Sequence, residues 1–316
     1  MPSLRDVKRR IGSIKNTSKV THALEAVSAT KMRRWQERAL GARPFALKAL
    51  TLLTYLKAKI PRQKQYPTFR RSRKPQAPIA FLVVSADKGL CGGYNSKLMN
   101  EALRFLEAAR DANASLTPVR FLALGRYGRD YLKRRGYDIM LEEVGFGEGV
   151  TRQRVKEMYE FLEEGFLGGV FSQVLVGYTE FITTLRQEAR VRQLLPVDEE
   201  DLQAIVESIV PKSGRYADLR SNMRIKTQNY SYIFEPSIER ILPSLVKELT
   251  QVALFHMVLE ANASEHSARM IAMKNATDNA KDMLSDLQLQ YNKVRQSDIT
   301  KGVLEVASGA AALTRV

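Results

Sequence analysis

The sequence predicts an α/β protein in which a long antiparallel coiled coil of N- and C-terminal helices carries a small Rossmann-like α/β domain. Three observations predict it. The first residues repeat apolar side chains at 3–4 spacing. A short, wholly apolar run, Ile79–Val84, opens a stretch of alternating strand and helix patterns. From Pro243 onward, more than 70 residues contain no proline and only two glycines, Gly302 and Gly309. Apolar side chains at 3–4 spacing mark a coiled-coil seam, and strands alternating with helices mark a mainly parallel sheet.

The N-terminal helix is expected over residues 1–60. Leu4, Val7, Ile11 and Ile14 set the seam. The seam is expected to falter at Ser18 and Thr21 and to resume displaced, through Val20, Leu24 and Val27, then Met32 and Trp35. Unbroken, such a helix would run ~80 Å at ~1.5 Å per residue. Pro61, Pro67, Pro75 and Pro78 then mark a basic, non-helical connector.

The central domain is expected over residues 78–197. Ile79–Val84 reads as a buried strand. A Gly-rich turn at Gly89–Gly93 leads into a helix at about 96–112. Val119–Leu124 reads as a strand, Tyr127–Arg135 and Gln153–Phe166 as helices, and Gln173–Tyr178 as a third strand. Ala189–Leu195 is a candidate fourth. Residues 198–234 form a polar insertion or connector. The C-terminal coiled-coil helix is expected over residues 235–316, opening at Glu235-Pro236-Ser237 and running ~110–120 Å if straight. A helix of that length cannot cover its own apolar stripe. Pairing the two termini solves this, and the longer helix should then project beyond its mate or meet another protein.

Charge narrows the partners. The net charge of +16 is concentrated at one end: residues 1–75 hold 20 Lys and Arg against 3 Asp and Glu, and the remainder is close to neutral. Such a segment seeks an acidic protein surface, a nucleic acid or an anionic membrane. The basic clusters Lys8-Arg9-Arg10, Lys31–Arg34 and Arg70–Lys74 have few aromatic neighbours. A basic coiled-coil protein that binds nucleic acid is the alternative at this point. The single cysteine, Cys91, allows no intrachain disulfide, and His22, His256 and His266 lie at no metal-ligand spacing, so neither metal nor cofactor is expected. With no run of 18 apolar residues and no secretory leader pattern, the expectation is a bacterial protein on the cytoplasmic side.

The turn Ser85–Asn95 invites a phosphate-loop reading, but it is neither GxGxxG nor GxxxxGK[ST]. A tight strand-to-helix turn needing glycine backbone angles is the simpler reading, with Cys91 a small buried thiol and Asp87 and Lys88 turn residues. The tail Val306–Val316 is rich in alanine and glycine. Such residues interdigitate weakly with a surround and would slide in a bearing.

Four segments together resemble the γ subunits of F-type ATP synthases. They are Ile14–Thr21 through Ser28–Met32, the turn Gly89-Leu-Cys-Gly92, Ser264–Lys281, and Tyr291–Thr300 followed by Gly309-Ala310. The resemblance implies the central rotor shaft of the F1 sector, with no catalytic site of its own. It implies as partners the α and β subunits of an α3β3 ring, the ε subunit and the membrane c-ring. Arg295, Gln296 and Thr300 would meet β loops near the tip. Lys8, Arg9, Lys31, Arg33 and Arg34 would form a basic face beside acidic β segments. The sequence departs from the family at Gly302, where glutamate is usual. Leu24 and Ala26 stand where methionines are common. The stretch 202–226 looks inserted relative to short members, and it contains no cysteine for a thiol switch.

Overall fold

The computed structural model describes residues 3–41, 74, 76–112, 118–197, 235 and 237–313. The expected helix beyond residue 41, most of the proline connector, the insertion 198–234 and the last three residues lie outside the described residues. The chain divides into two compact units, residues 1–28 with 270–316, and residues 29–269. Ten elements are described. They are α1 (Leu4–Gly41), β1 (Ile79–Val84), α2 (Tyr94–Ala112), β2 (Val119–Leu124), α3 (Arg126–Arg134), β3 (Ile139–Glu143), α4 (Arg152–Leu167), β4 (Gln173–Phe181), β5 (Gln187–Leu195) and α5 (Ile238–Leu313).

Among the described residues, the first unit contains only the start of α1 and the later part of α5. On α1 its stripe runs through Leu4, Val7, Ile11, Ile14, Ser18, Thr21, Glu25 and Ser28, all buried or half-buried, with Asp6 and Leu24 half-buried beside it. On α5 the stripe includes Met273, Thr277, Ala280, Leu284, Leu287, Tyr291 and Val294. Both sets alternate steps of three and four, the period of a left-handed coiled coil. With no third element in the unit, each stripe is covered by the other. The sequence reading of a faltering seam is therefore corrected. The seam continues through Ser18, Thr21 and Ser28 in unbroken register, and Val20 and Val27 face solvent. Small polar residues occupy the seam because their hydroxyls are satisfied locally. Ser28 Oγ donates to the Leu24 carbonyl at 2.7 Å and Thr21 Oγ1 to that of Ser18 at 3.1 Å. Thr277 Oγ1 lies 2.7 Å from Thr21 Oγ1 and 2.8 Å from the Met273 carbonyl, so its one proton serves both.

In the second unit a five-stranded sheet has the order β3-β2-β1-β4-β5. β1 is parallel to β2 and β4, and β2 is parallel to β3. β5 returns antiparallel to β4. This is the mainly parallel sheet that the alternating pattern predicts, with an antiparallel edge. β3, which the sequence reading missed, is a five-residue strand, Ile-Met-Leu-Glu-Glu, half-buried on both sides and without clear alternation. Successive side chains of β1 feed two cores. Ala80, Leu82 and Val84 face α4 and residues 246–263 of α5, joined by Trp35 and Ala39 of α1. Phe81 and Val83 face Leu98, Met99 and Ala102 of α2 and Leu132 of α3. Gly177 on β4 is required by this packing, since a Cβ there would stand 2.9 Å from the Phe81 ring. Thr21 of α1 lies beside Thr277 of α5 in the first unit, and Trp35 and Ala39 of α1 pack with the 246–263 stretch of α5 in the second.

The seam register makes a direct prediction. Val7→Ala should lower stability by about 1–2 kcal/mol, because it removes two buried methyl groups. Val20→Ala, on the exposed face, should stay within about 0.5 kcal/mol of wild type. Thermal melts followed by helical circular dichroism would show the difference. Equal loss at both positions would contradict the register.

Candidate functional site

Within the second unit, the turn between β1 and α2 is held from several sides. Leu90 sits at φ 62°, unusual for a residue with a side chain, and projects into solvent at 62% exposure. The residues around it are anchored. The Asn95 carboxamide accepts from the Ala86 amide at 3.0 Å and donates to Cys91 Sγ at 3.4 Å. Tyr94 donates its hydroxyl to the Ala261 carbonyl of α5 at 3.1 Å. Asp87 Oδ1 accepts from the Arg126 amide at the start of α3 at 3.0 Å. Cys91 is buried, and burial raises its thiol pKa, so it stays a neutral packing group.

The principal clamp is Arg269 of α5. Its Nε donates to the Gly89 carbonyl at 3.1 Å and its Nη2 to the Lys88 carbonyl at 2.8 Å. Nη2 also meets Glu265 Oε1 at 2.6 Å, one helical turn back. Nη1 lies 3.1 Å from His266 Nδ1. A guanidinium has no acceptor, so Nδ1 accepts and the neutral ring carries its proton on Nε2. Burial, followed by the Arg269 charge, lowers the His266 pKa to about 4, which keeps the ring neutral at pH 7. Burial raises the Glu265 pKa against the opposing pull of Arg269. Arginine suits this place because its planar fork spans two carbonyls and a carboxylate at once.

A second, exposed connection lies nearby in the same unit. Glu148 Oε1 accepts from Lys88 Nζ at 2.8 Å and from Lys31 Nζ at 3.0 Å. These hydrogen bonds, from Lys88 first and then Lys31, lower the Glu148 carboxyl pKa to about 2. The glutamate is more than half exposed, so solvent screening limits each pair to about 1 kcal/mol or less.

The residues the sequence marked for partner contact fall in both units. Lys8, Arg9, Arg295, Gln296 and Thr300 are exposed in the first, where the Thr300 hydroxyl bonds back to the Gln296 carbonyl at 2.8 Å. Arg33 and Arg34 are exposed in the second. Lys31 differs from both, because its ammonium is engaged by Glu148 of the same chain. From Asp298 to Ser308, each α5 residue is exposed, including Ile299, Val303, Leu304 and Val306. Sequence reasoning missed Glu148, Glu265, His266 and Arg269. Glu265 and Arg269 did carry a signal, since opposite charges at i,i+4 pair on a helix. Lys31 and Glu148 are 117 positions apart, and no local pattern joins them.

Two outcomes follow. Arg269→Ala should leave Glu265 buried without its partner and cost about 3 kcal/mol. The loss would show as faster amide exchange at residues 86–95 and at least a tenfold faster reaction of Cys91 with a thiol reagent, since ~1.4 kcal/mol of opening is tenfold. Unchanged Cys91 reactivity would count against the clamp. The second outcome concerns pH. The unfolded chain protonates His266 near 6.5 and the folded chain only near 4, so protonation favours unfolding across that window. This contribution to stability should be whole above pH 6.5 and decline as pH falls towards 4. His266→Gln, which keeps an acceptor for Arg269, should remove that part of the slope in thermal midpoint against pH.

Comparison with known proteins places the whole chain. The ATP synthase family profile matches residues 3–313. The ATP synthase gamma chain of Chloroflexus aurantiacus is 37% identical over 314 residues, covering 99% of this chain and 100% of that one. That of a Roseiflexus species is 38% identical over 316 residues, covering 100% of both. Among solved structures, a chain of the Euglena gracilis mitochondrial ATP synthase matches 98% of this chain and 94% of its own length. Its TM-score is 0.61 at 14% identity, a likeness of fold. A chain from the central stalk and c-ring of the Tetrahymena thermophila mitochondrial enzyme matches with TM-score 0.53 at 20% identity, over 81% of this chain and 99% of that one. On a profile match from residue 3 to residue 313 and relatives of 37–38% identity from end to end, this chain belongs to the ATP synthase gamma chain family.

Proposed function

We propose that this chain is the central rotor shaft of an F1Fo ATP synthase, coupling proton-driven turning of the c-ring to ATP synthesis or hydrolysis at the α3β3 ring. The observation that carries the reading is full-length membership of the gamma chain family, joined to a two-helix seam whose longer helix continues bare beyond its mate. Exposed apolar side chains at Ile299, Val303, Leu304 and Val306 suit a tip that meets a surrounding protein wall. The shaft is a non-catalytic subunit, and nucleotide chemistry belongs to the β subunits. Its partners are the α and β subunits, the ε subunit and the c-ring. Its place is peripheral, on the cytoplasmic face of the bacterial membrane. No helix among the described residues is long and apolar enough to cross a membrane.

Coupling follows from unequal contact. A shaft that presses differently on each β subunit shifts that subunit between open and closed states by the difference in contact free energy. Arg295, Gln296 and Thr300 at the tip, and Lys8, Arg9, Arg33 and Arg34 along α1, are the exposed groups assigned to that contact. Lys31 joins them through its share in the Glu148 pair. Nothing in the comparisons favours the nucleic-acid alternative.

The test is the assembled enzyme. Affinity purification through this chain should bring down two larger nucleotide-binding chains, and the isolated chain should hydrolyse no ATP. Removing residues 305–316 should reduce proton pumping per ATP hydrolysed several-fold while the ring still binds nucleotide. Loss of all nucleotide binding by an intact ring would contradict this division of labour.

A further inference from the structure

The helix α3 and the residues that follow it carry a charge pattern that the fold does not consume. Gly128 and Leu132 form the buried side of this nine-residue helix. Its other side shows Arg126, Arg129, Asp130, Lys133 and Arg134, with Tyr127 and Tyr131 half-buried at its flank against the core, and Arg135 caps the end. Of the nearby carboxylates, Asp130, Glu142 and Asp138 are already ion-paired, and Asp87 accepts the Arg126 amide at 3.0 Å. Asp130 meets Arg129 at 2.8 Å, Glu142 meets Lys133 at 2.6 Å and Asp138 meets Arg120 at 3.3 Å. Arg126, Arg134 and Arg135 are left with no carboxylate at ion-pair distance among the described residues. All three are exposed. Arg134 commits only its Nε, to the Asp130 carbonyl at 3.1 Å, so its two terminal nitrogens remain available.

The tyrosines set the kind of partner. Tyr127 and Tyr131 stack with ring centroids 6.2 Å apart. The Arg135 guanidinium covers Tyr131 at 4.5 Å from its centroid. Ring faces occupied in this way are poor platforms for unstacked bases. A lipid surface would call for flexible lysines and an apolar anchor such as Trp, Phe or Leu, and the outward side of α3 carries none of those three. Arginine and tyrosine around a rigid helix are instead the residues enriched in protein interfaces, and guanidinium forks match carboxylates in bidentate geometry. We propose that the outward face of α3 docks an acidic segment of another polypeptide of the assembly, held by Arg126, Arg134 and Arg135 with Tyr127 and Tyr131 as its floor. The proposal rests on the assembly reading above and adds a specific surface to it.

The experiment uses the full chain in the assembled enzyme. Complexes carrying wild-type chain, R126E/R134E/R135E, R134E alone or R126K/R134K/R135K are washed at increasing NaCl, and the retained subunits are identified by mass spectrometry. The triple glutamate variant should release one partner at salt concentrations where wild type keeps it, with affinity for that partner lowered by roughly tenfold or more. The single variant should be intermediate, and the lysine variant close to wild type. Retention of each subunit at unchanged salt midpoints in both glutamate variants would overturn the proposal. So would wild-type binding to phosphatidylserine vesicles or a single-stranded oligonucleotide that charge reversal abolishes while subunit retention stays intact. A wild-type chain that purifies with no partner would sink the assembly reading and this proposal together.

Discussion

A helix with one apolar stripe is stable in water only when something covers that stripe, and here two stripes from opposite ends of the chain cover each other. The arrangement depends on a period: steps of three and four keep side chains on one side of both helices. The composition of the stripe shapes its behaviour. Val7 is closed off from solvent, whereas Ser18, Thr21, Ser28 and Thr277 place small hydroxyl groups where Leu or Ile would pack more tightly. Their hydrogen bonds stay mainly within their own helices, so the polar layers cost little and still fix the register through the Thr21–Thr277 pair.

The middle of α5 obeys a different constraint. From Leu249 to Ser267 nearly each side chain is buried, and many are polar, among them His256, Glu260, Asn262, Ser264, Glu265 and His266. A helix buried all round must find partners for each such group. Several find them in the sheet and its turns. Ser264 donates to the Thr179 carbonyl at 3.0 Å and Ser267 to that of Thr184 at 2.7 Å. Arg269 reaches the carbonyls of Lys88 and Gly89. The Arg269 bonds, which also partner buried polar atoms, hold the turn that carries Leu90.

Much of this was legible in the sequence, and the reasons differ by element. Ile79–Val84, Val119–Leu124 and Gln173–Tyr178 are short and densely apolar or bounded by turns, which identifies strands paired on both sides. α2, α3 and α4 were placed to within about two residues. β3 escaped because a short edge strand half-covered on both faces has no alternation to read. The seam was misread at its polar layers because hydropathy gives Val20 and Val27 more weight than Ser18 and Thr21, although only spacing decides which face is covered. The partner residues at the tip came from family resemblance. The Arg269 clamp and the Glu148 bridge depend on folding segments far apart in sequence onto one another, which no local pattern reports.

The most direct test of this pairing is a crosslink at its polar layer. With Cys91 replaced by serine, a T21C/T277C chain should oxidise to an intrachain disulfide in high yield, because the two hydroxyl oxygens it replaces lie 2.7 Å apart. A V20C/T277C chain should not, since Val20 points away from the seam. Failure of the first pair to crosslink, or equal yield from the second, would contradict the paired stripes on which the rest of the structure depends.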